Sequence, residues 1–285
     1  MRLELVETQR YAVLSQRATR QRWFGRSVAA FTDYAASVDY GDEALRALME
    51  PHLRKMRAAR PTTDSSMTAR ILRYDADRYK LAEALRGALG VGSLESCACA
   101  DAHEKRALLA PLLDVATRRP FQQAYDAWVC GVVLPALAGA TRVRYQRFPC
   151  VRAQCPGDMT LGPHCDAAYG HAASTIIVSA LLTRAFGTNA LIYETNPGRE
   201  NWTAFEGSEG SALAFPGGLA AHFTSENTTG VTRWSIDARV VADSTSAYDA
   251  GCYFAVAERV GGAWRRVGDE IDAVDPRVGI PFVRN

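Results

Sequence analysis

A chain of 285 residues, 48% hydrophobic and 22% charged, has the composition of an ordinary globular protein and is long enough to bury a core without cross-links. A formal net charge of +2 excludes an electrostatic case for a nucleic-acid or membrane partner, and short basic runs such as Arg54–Arg57 read as solvated helix faces. No stretch approaches the ~20 apolar residues of a membrane span, the opening residues make no convincing signal peptide, and the seven cysteines are irregularly spaced, so a cytoplasmic chain without a disulfide framework is expected.

The first half reads as helical. Ala44, Leu45, Leu48, Met49 and Leu53 recur at helical spacing between Asp42 and Arg57. A second stretch, Met67 to Leu89, is rich in Ala, Leu and Arg and stops at Gly90 and Gly92. A third, Phe121 to Leu137, sets Phe121, Tyr125, Trp128 and Val132 on one stripe, which reads as core. Near Arg142 the character changes. Residues Arg142–Phe148 alternate like a strand, and short apolar runs follow at Ser174–Leu182, Ala190–Glu194, Ser211–Phe215 and Thr232–Val241. Gly, Pro and Asn separate them, a pattern that predicts a sandwich or jelly roll. The expectation is a single domain, mainly β with α. Residues 1–139 form a mostly helical support, 140–245 a β core, and 246–285 C-terminal strands or tail.

Three of the five histidines lie in the β region. His164 and Asp166 are two residues apart, and on an extended segment such side chains share a face. An imidazole and a carboxylate can therefore converge on one ion, with His222, after a strand and a tight turn, as the third ligand. Two His and one carboxylate on one side of a metal leave the opposite side open, which suits Fe(II) accepting a cosubstrate and dioxygen. A dicarboxylate cosubstrate needs a fixed cation at its far end. Arg233 lies eleven residues beyond His222 on the next predicted strand, and Ser235 shares its face; together they offer a forked set of donors and one hydroxyl. Cys165, between the two first ligands, should point away. Cys97 and Cys99 have no second pair at zinc spacing.

With these residues in order, the sequence resembles the 2-oxoglutarate/Fe(II) dioxygenase superfamily. More narrowly, it resembles the phytanoyl-CoA-hydroxylase-like group and the dioxygenases of streptomycin-type gene clusters. The resemblance rests on Tyr145–Pro149, Pro163–His171, Phe186–Leu191 and Asn227–Val240, just over a third of the chain. It implies a double-stranded β-helix, a cupin-like jelly roll with the metal in its mouth. It implies Fe(II) on His164, Asp166 and His222, with O2 as co-reactant, and 2-oxoglutarate on Arg233 and Ser235. A carboxylate ligand favours hydroxylation over halogenation.

Several other residues are candidates near such a site. Asn189 either lines the cosubstrate pocket or serves a turn. Tyr145, Arg152 and Gln154, upstream of His164, are candidates for the mouth. His171 is a substrate contact or a structural hydrogen-bonding residue. Arg239, on the face of Arg233, would hold an acidic substrate or pair with Asp237. Trp202 and Phe205 form a candidate lid. The implied partner is a small polar metabolite such as an amino acid, amine or sugar derivative, hydroxylated at an unactivated C–H with release of succinate and CO2. Desaturation, cyclisation or epimerisation within the same class is the alternative, and a non-catalytic binding barrel is the third reading.

Overall fold

The computed structural model describes residues 67–100, 102–137, 139–158, 164–169, 171–199, 201–241 and 254–270. The helix expected between Asp42 and Arg57 lies outside these residues.

The described chain is mainly antiparallel β with a few helices. Its strands are β1 (Arg70–Arg73), β2 (Arg142–Gln146), β3 (Cys150–Gln154), β4 (Ile176–Leu181), β5 (Leu191–Glu194), β6 (Trp202–Phe205), β7 (Ser211–Phe215), β8 (His222–Thr224), β9 (Arg233–Val241), β10 (Phe254–Val260) and β11 (Ala263–Glu270). The larger sheet has eight strands in the order β1-β7-β4-β9-β2-β10-β11, with β3 also paired to β9; the smaller sheet runs β6-β5-β8. The four apolar runs expected as strands became β4, β5, β7 and β9, and the alternating stretch at Arg142 became β2.

The stretch Met67–Leu89 is not a single helix. Its start forms β1, which pairs with β7 from Arg70↔Ala214 to Arg73↔Ser211 and completes that end of the larger sheet. Pairing with an open sheet edge here overrides helix propensity. Asp75 then caps α1 (Ala76–Tyr79), its side chain accepting from the Arg78 N–H at 3.1 Å. Lys80 adopts a left-handed conformation (φ 51°) and separates α1 from α2 (Leu81–Leu89). Gly90, also left-handed, ends α2 where the sequence placed a stop.

After α3 (Ala102–Leu109), Asp114 caps α4 (Val115–Trp128) by accepting from the Thr117 N–H at 2.7 Å. Phe121, Tyr125 and Trp128 are buried, as their stripe predicted. The helix then widens into a π-turn over Val129–Val133 before α5 (Leu134–Leu137). That inserted residue rotates the stripe, so Val129 and Val133 enter the core and Val132 is only half-buried.

Period-two alternation then decides what each face of the larger sheet meets. Trp234, Ile236, Ala238 and Val240 of β9 join Val178 and Ala180 of β4 and Ala212 and Ala214 of β7 against Leu85, Phe121, Tyr125 and Trp128 of the helices. Each large apolar side chain buried here contributes about 1.5–3 kcal/mol. On the other face, Ile177, Leu181, Leu213 and Phe215 pack against Leu191, Tyr193 and Phe205 of the smaller sheet. Trp202 and Phe205 are therefore not a lid. They lie on β6, buried, with Trp202 in edge contact with Phe223 at 5.5 Å. Among the described residues, no helix is long and apolar enough to cross a membrane.

Candidate metal centre

His164 is joined to His222, the first residue of β8, by an isolated antiparallel bridge. The two residues exchange both backbone hydrogen bonds, at 3.1 and 2.8 Å, so their side chains lie side by side with ring centroids 4.2 Å apart. The expected extended run does not continue through Asp166, which opens a 3-10 turn (Asp166–Tyr169). The Asp166 and Ala167 N–H groups donate to the carbonyls of Gly217 and Gly218 at 2.9 and 3.1 Å. The two glycines make that approach feasible. A Cβ on Gly218 would lie 2.5 Å from the Ala173 carbonyl oxygen, and one on Gly217 would lie 2.3 Å from the Ile177 side chain.

The three side chains converge. His164, Asp166 and His222 are buried, and each offers a ligand atom within 4.8 Å of the others. His164 Nε2 is 3.8 Å from Asp166 Oδ1. His222 Nδ1 lies 3.1 Å from the Ala220 carbonyl oxygen. A carbonyl only accepts, so Nδ1 carries the proton and Nε2 keeps its lone pair, the form a metal takes. Burial pushes the His222 imidazole pKa down, against the opposing pull of Asp166, which favours the neutral ligand form. Burial alone would raise the Asp166 carboxyl. Arg239, followed by His171, His222 and His164, outweighs it and holds the group well below the usual carboxylate range. Glu194, buried on β5, steadies the approach to His222 by accepting from the Ala221 N–H at 2.8 Å. The donor set therefore fits a divalent ion: two imidazoles, that of His222 oriented by the Ala220 carbonyl, and one carboxylate oriented by Arg239.

Face alternation on β9 places Arg233, Ser235, Asp237 and Arg239 on the face turned from the helices, beside Ser179 and Leu181 of β4. On the opposite flank, β3 brings Gln154 against Arg233 and Arg152 against Ser235. Arg233 donates through Nε to the Asn189 carbonyl at 3.0 Å, through Nη2 to Gln154 Oε1 at 2.7 Å, and through Nη1 to Ser235 Oγ. All three acceptors are neutral. Burial pushes its pKa down to about 10, with Asp237 opposing and Arg152 reinforcing, so it remains a cation at neutral pH. A buried guanidinium hydrogen-bonded only to neutral acceptors is suited to receive an anion.

The other sequence candidates fall into distinct places. Gln154 and Arg152 lie on the polar face as partners of charged groups. Gln154 Nε2 donates to the Ser225 carbonyl at 2.7 Å while Oε1 serves Arg233, and Arg152 Nε binds Asp237 Oδ2 at 2.8 Å. Asn189 is both a turn residue and a support: its Oδ1 accepts from the Phe186 N–H at 2.8 Å, while its carbonyl orients Arg233. The His171 N–H donates to the Asp166 carbonyl at 3.2 Å, and its ring adds to the field on that carboxyl. Arg239 does not pair with Asp237; its Nε donates to Asp166 Oδ2 at 2.8 Å. Tyr145 is not at the mouth. It points into the helical core, where its hydroxyl donates to Asp126 Oδ1 at 2.8 Å, because β2 turns odd residues toward α4. Among the described residues, no cysteine forms a disulfide. Sequence reasoning missed Glu194 and the Asp166–Arg239 contact. The Gly217-Gly218 pair was visible, but only as a turn.

No family model matches the chain, and no curated protein matches it. Among solved structures, the chain is similar to a non-heme monooxygenase, the ThoJ–Ni complex, at 14% identity with a TM-score of 0.34, over 57% of this chain and 69% of that one. It is also similar to SnoN, a non-heme α-ketoglutarate-dependent epimerase from nogalamycin biosynthesis. That match has 15% identity and a TM-score of 0.35, over 80% of this chain and 98% of that one. Likenesses this distant carry no weight in the assignment that follows, which rests on side-chain geometry.

Proposed function

We propose that the chain is an Fe(II)- and 2-oxoglutarate-dependent oxygenase, with its two sheets as the walls of a jelly roll. The observation that carries this reading is the pairing of two sites. A buried His164–Asp166–His222 cluster, with His222 on the smaller sheet, is tied through Arg239 to β9, and the same face of β9 carries the buried Arg233 and Ser235.

His164 and His222 would hold Fe(II) through neutral ring nitrogens, and Asp166 through its carboxylate. Arg233 would bind the far carboxylate of 2-oxoglutarate through charge-assisted hydrogen bonds, joined by the Ser235 hydroxyl. Gln154 and the Asn189 carbonyl already fix the guanidinium, so little orientational freedom is lost when the anion arrives. Burial of these residues keeps water from competing for the same donors. Bound Fe(II), with 2-oxoglutarate and O2, supplies the oxidising chemistry: the cosubstrate leaves as succinate and CO2, and an unactivated C–H of the substrate is hydroxylated.

The proposed substrate is a small polar metabolite, such as an amino acid, an amine or a sugar derivative. Screening these classes for substrate-stimulated succinate release tests the reading. Release in the wild type and loss in His222→Ala is the expected result; no release with any class returns the protein to a binding role. Product mass separates reactions within the class. Hydroxylation adds one oxygen, desaturation or ring closure removes two hydrogens, and epimerisation leaves the mass unchanged.

A further inference from the structure

A carboxylate can bind a metal through one oxygen or through both, and the second mode fills a coordination position. The backbone does not choose between them at Asp166, because its N–H is committed to Gly217 and its side chain stands at the start of a turn. The two carboxylate oxygens nevertheless have different surroundings. Oδ1 lies 3.8 Å from His164 Nε2, on the side of the other ligands. Oδ2 accepts a hydrogen bond from Arg239 Nε at 2.8 Å. Arg239 sits on β9 opposite Ile177 of β4, on a central strand hydrogen-bonded on both sides. Its Nη1 reaches Gln146 Oε1 at 3.4 Å, at the end of β2. The guanidinium is thus held by a strand that supplies none of the three ligands.

We propose that Arg239 is a positioning residue of the metal centre: it engages Asp166 Oδ2 so that only Oδ1 faces the ion. The carboxylate then stays monodentate and leaves a position open for the cosubstrate. This inference rests on the Fe(II)/2-oxoglutarate reading above and deepens it. In this role Arg239 acts through Asp166, to which its Nε–H is committed. Groups that orient metal ligands in this way are commonly worth about 10- to 100-fold in metal affinity.

The test uses Co(II) as the probe on the full chain stripped of metal, read by calorimetry, by the visible d–d spectrum and by X-ray absorption. Two variants separate hydrogen bonding from charge. In Arg239→Gln the amide nitrogen stands at the same remove along the side chain as Nε, so the donor is kept without the charge. Arg239→Met keeps the stem and removes the donor. The wild type is expected to bind one Co(II) with a single oxygen of Asp166. Arg239→Met is expected to bind about 10- to 100-fold more weakly, with a d–d spectrum of higher coordination number. Arg239→Gln is expected to keep the wild-type spectrum and lose less than about tenfold. Wild-type affinity and spectrum in Arg239→Met would overturn the proposal, as would equal losses in both variants. If Arg239→Met does not fold, the wild-type X-ray absorption decides, since two Asp166 oxygens on Co(II) contradict the proposal directly. A wild type that binds no Co(II) overturns the metal reading itself, which keeps the two failures apart.

Discussion

Arg233 is enclosed by a carbonyl, an amide oxygen and a hydroxyl, and this sets it apart from the other arginines of the polar face, Arg152 and Arg239, which meet carboxylates. Its replacement should separate cosubstrate binding from metal binding. Arg233→Gln is expected to raise the KM for 2-oxoglutarate about 10- to 100-fold, from the loss of charge-assisted hydrogen bonds worth about 1.5–3 kcal/mol. Co(II) affinity, measured by calorimetry without 2-oxoglutarate, should stay unchanged. At this scale much of the site was legible. His164, Asp166 and His222 meet, although Asp166 does so from a 3-10 turn and not from the extended segment that its spacing implied, and Arg233 and Ser235 share a face because strand alternation requires it. The partners of Arg239 and Tyr145 were not legible. Which acid an arginine meets, and which way a tyrosine points, depends on cross-strand register and on the helix packed behind, and neither is written locally.

Elements position these residues through a few close backbone contacts. The turn before β8 must approach the segment after His164, and Gly218 permits this by having no Cβ where the Ala172 and Ala173 carbonyls lie. Gly218→Ala is expected to destabilise the protein by about 1–3 kcal/mol and to weaken Co(II) binding, because the same turn holds the Asp166 N–H. Gly87 gives the opposite case. It is exposed within α2, and a Cβ added there would meet nothing within 4 Å. Gly87→Ala should raise stability by about 1 kcal/mol, read as a higher denaturation midpoint with metal binding unchanged. Strands with strong apolar content, β4, β7 and β9, were legible from their own residues. β1 and β3 were not. Arg70–Arg73 is four residues flanked by helix formers, and Cys150–Gln154 carries two polar residues that are buried only because β9 lies alongside. The π-turn in the long helix is likewise invisible to a 3.6-residue periodicity.

At the scale of the whole molecule, the larger sheet keeps an apolar face against helices, while its other face is apolar on β4 and β7 against the smaller sheet and polar and charged on β9 and β3, at the proposed site. Runs of β residues announced the sheets, but the order β1-β7-β4-β9-β2-β10-β11 is set by long-range pairing and could not be read from one sequence. The polar face should also shape stability. Burial raises the Asp237 carboxyl, but Arg152, ahead of Ser179 and Arg233, holds it below its ordinary value. A depressed folded-state pKa means the contribution is complete above the unfolded value, near pH 3.9, and is lost as pH falls through the folded one. Asp237→Asn should therefore flatten the acid limb of the stability profile below about pH 4, measured by denaturant unfolding across pH. At neutral pH it should cost about 3–5 kcal/mol by removing the carboxylate of a buried ion pair with Arg152. The most direct measurement of the central claim is an anaerobic titration of the metal-free protein with Fe(II) and then 2-oxoglutarate, followed by visible absorption. A weak metal-to-ligand charge-transfer band that saturates in the wild type and is absent from folded His164→Ala is the expected result. A wild type that shows no band with both present would contradict the assignment.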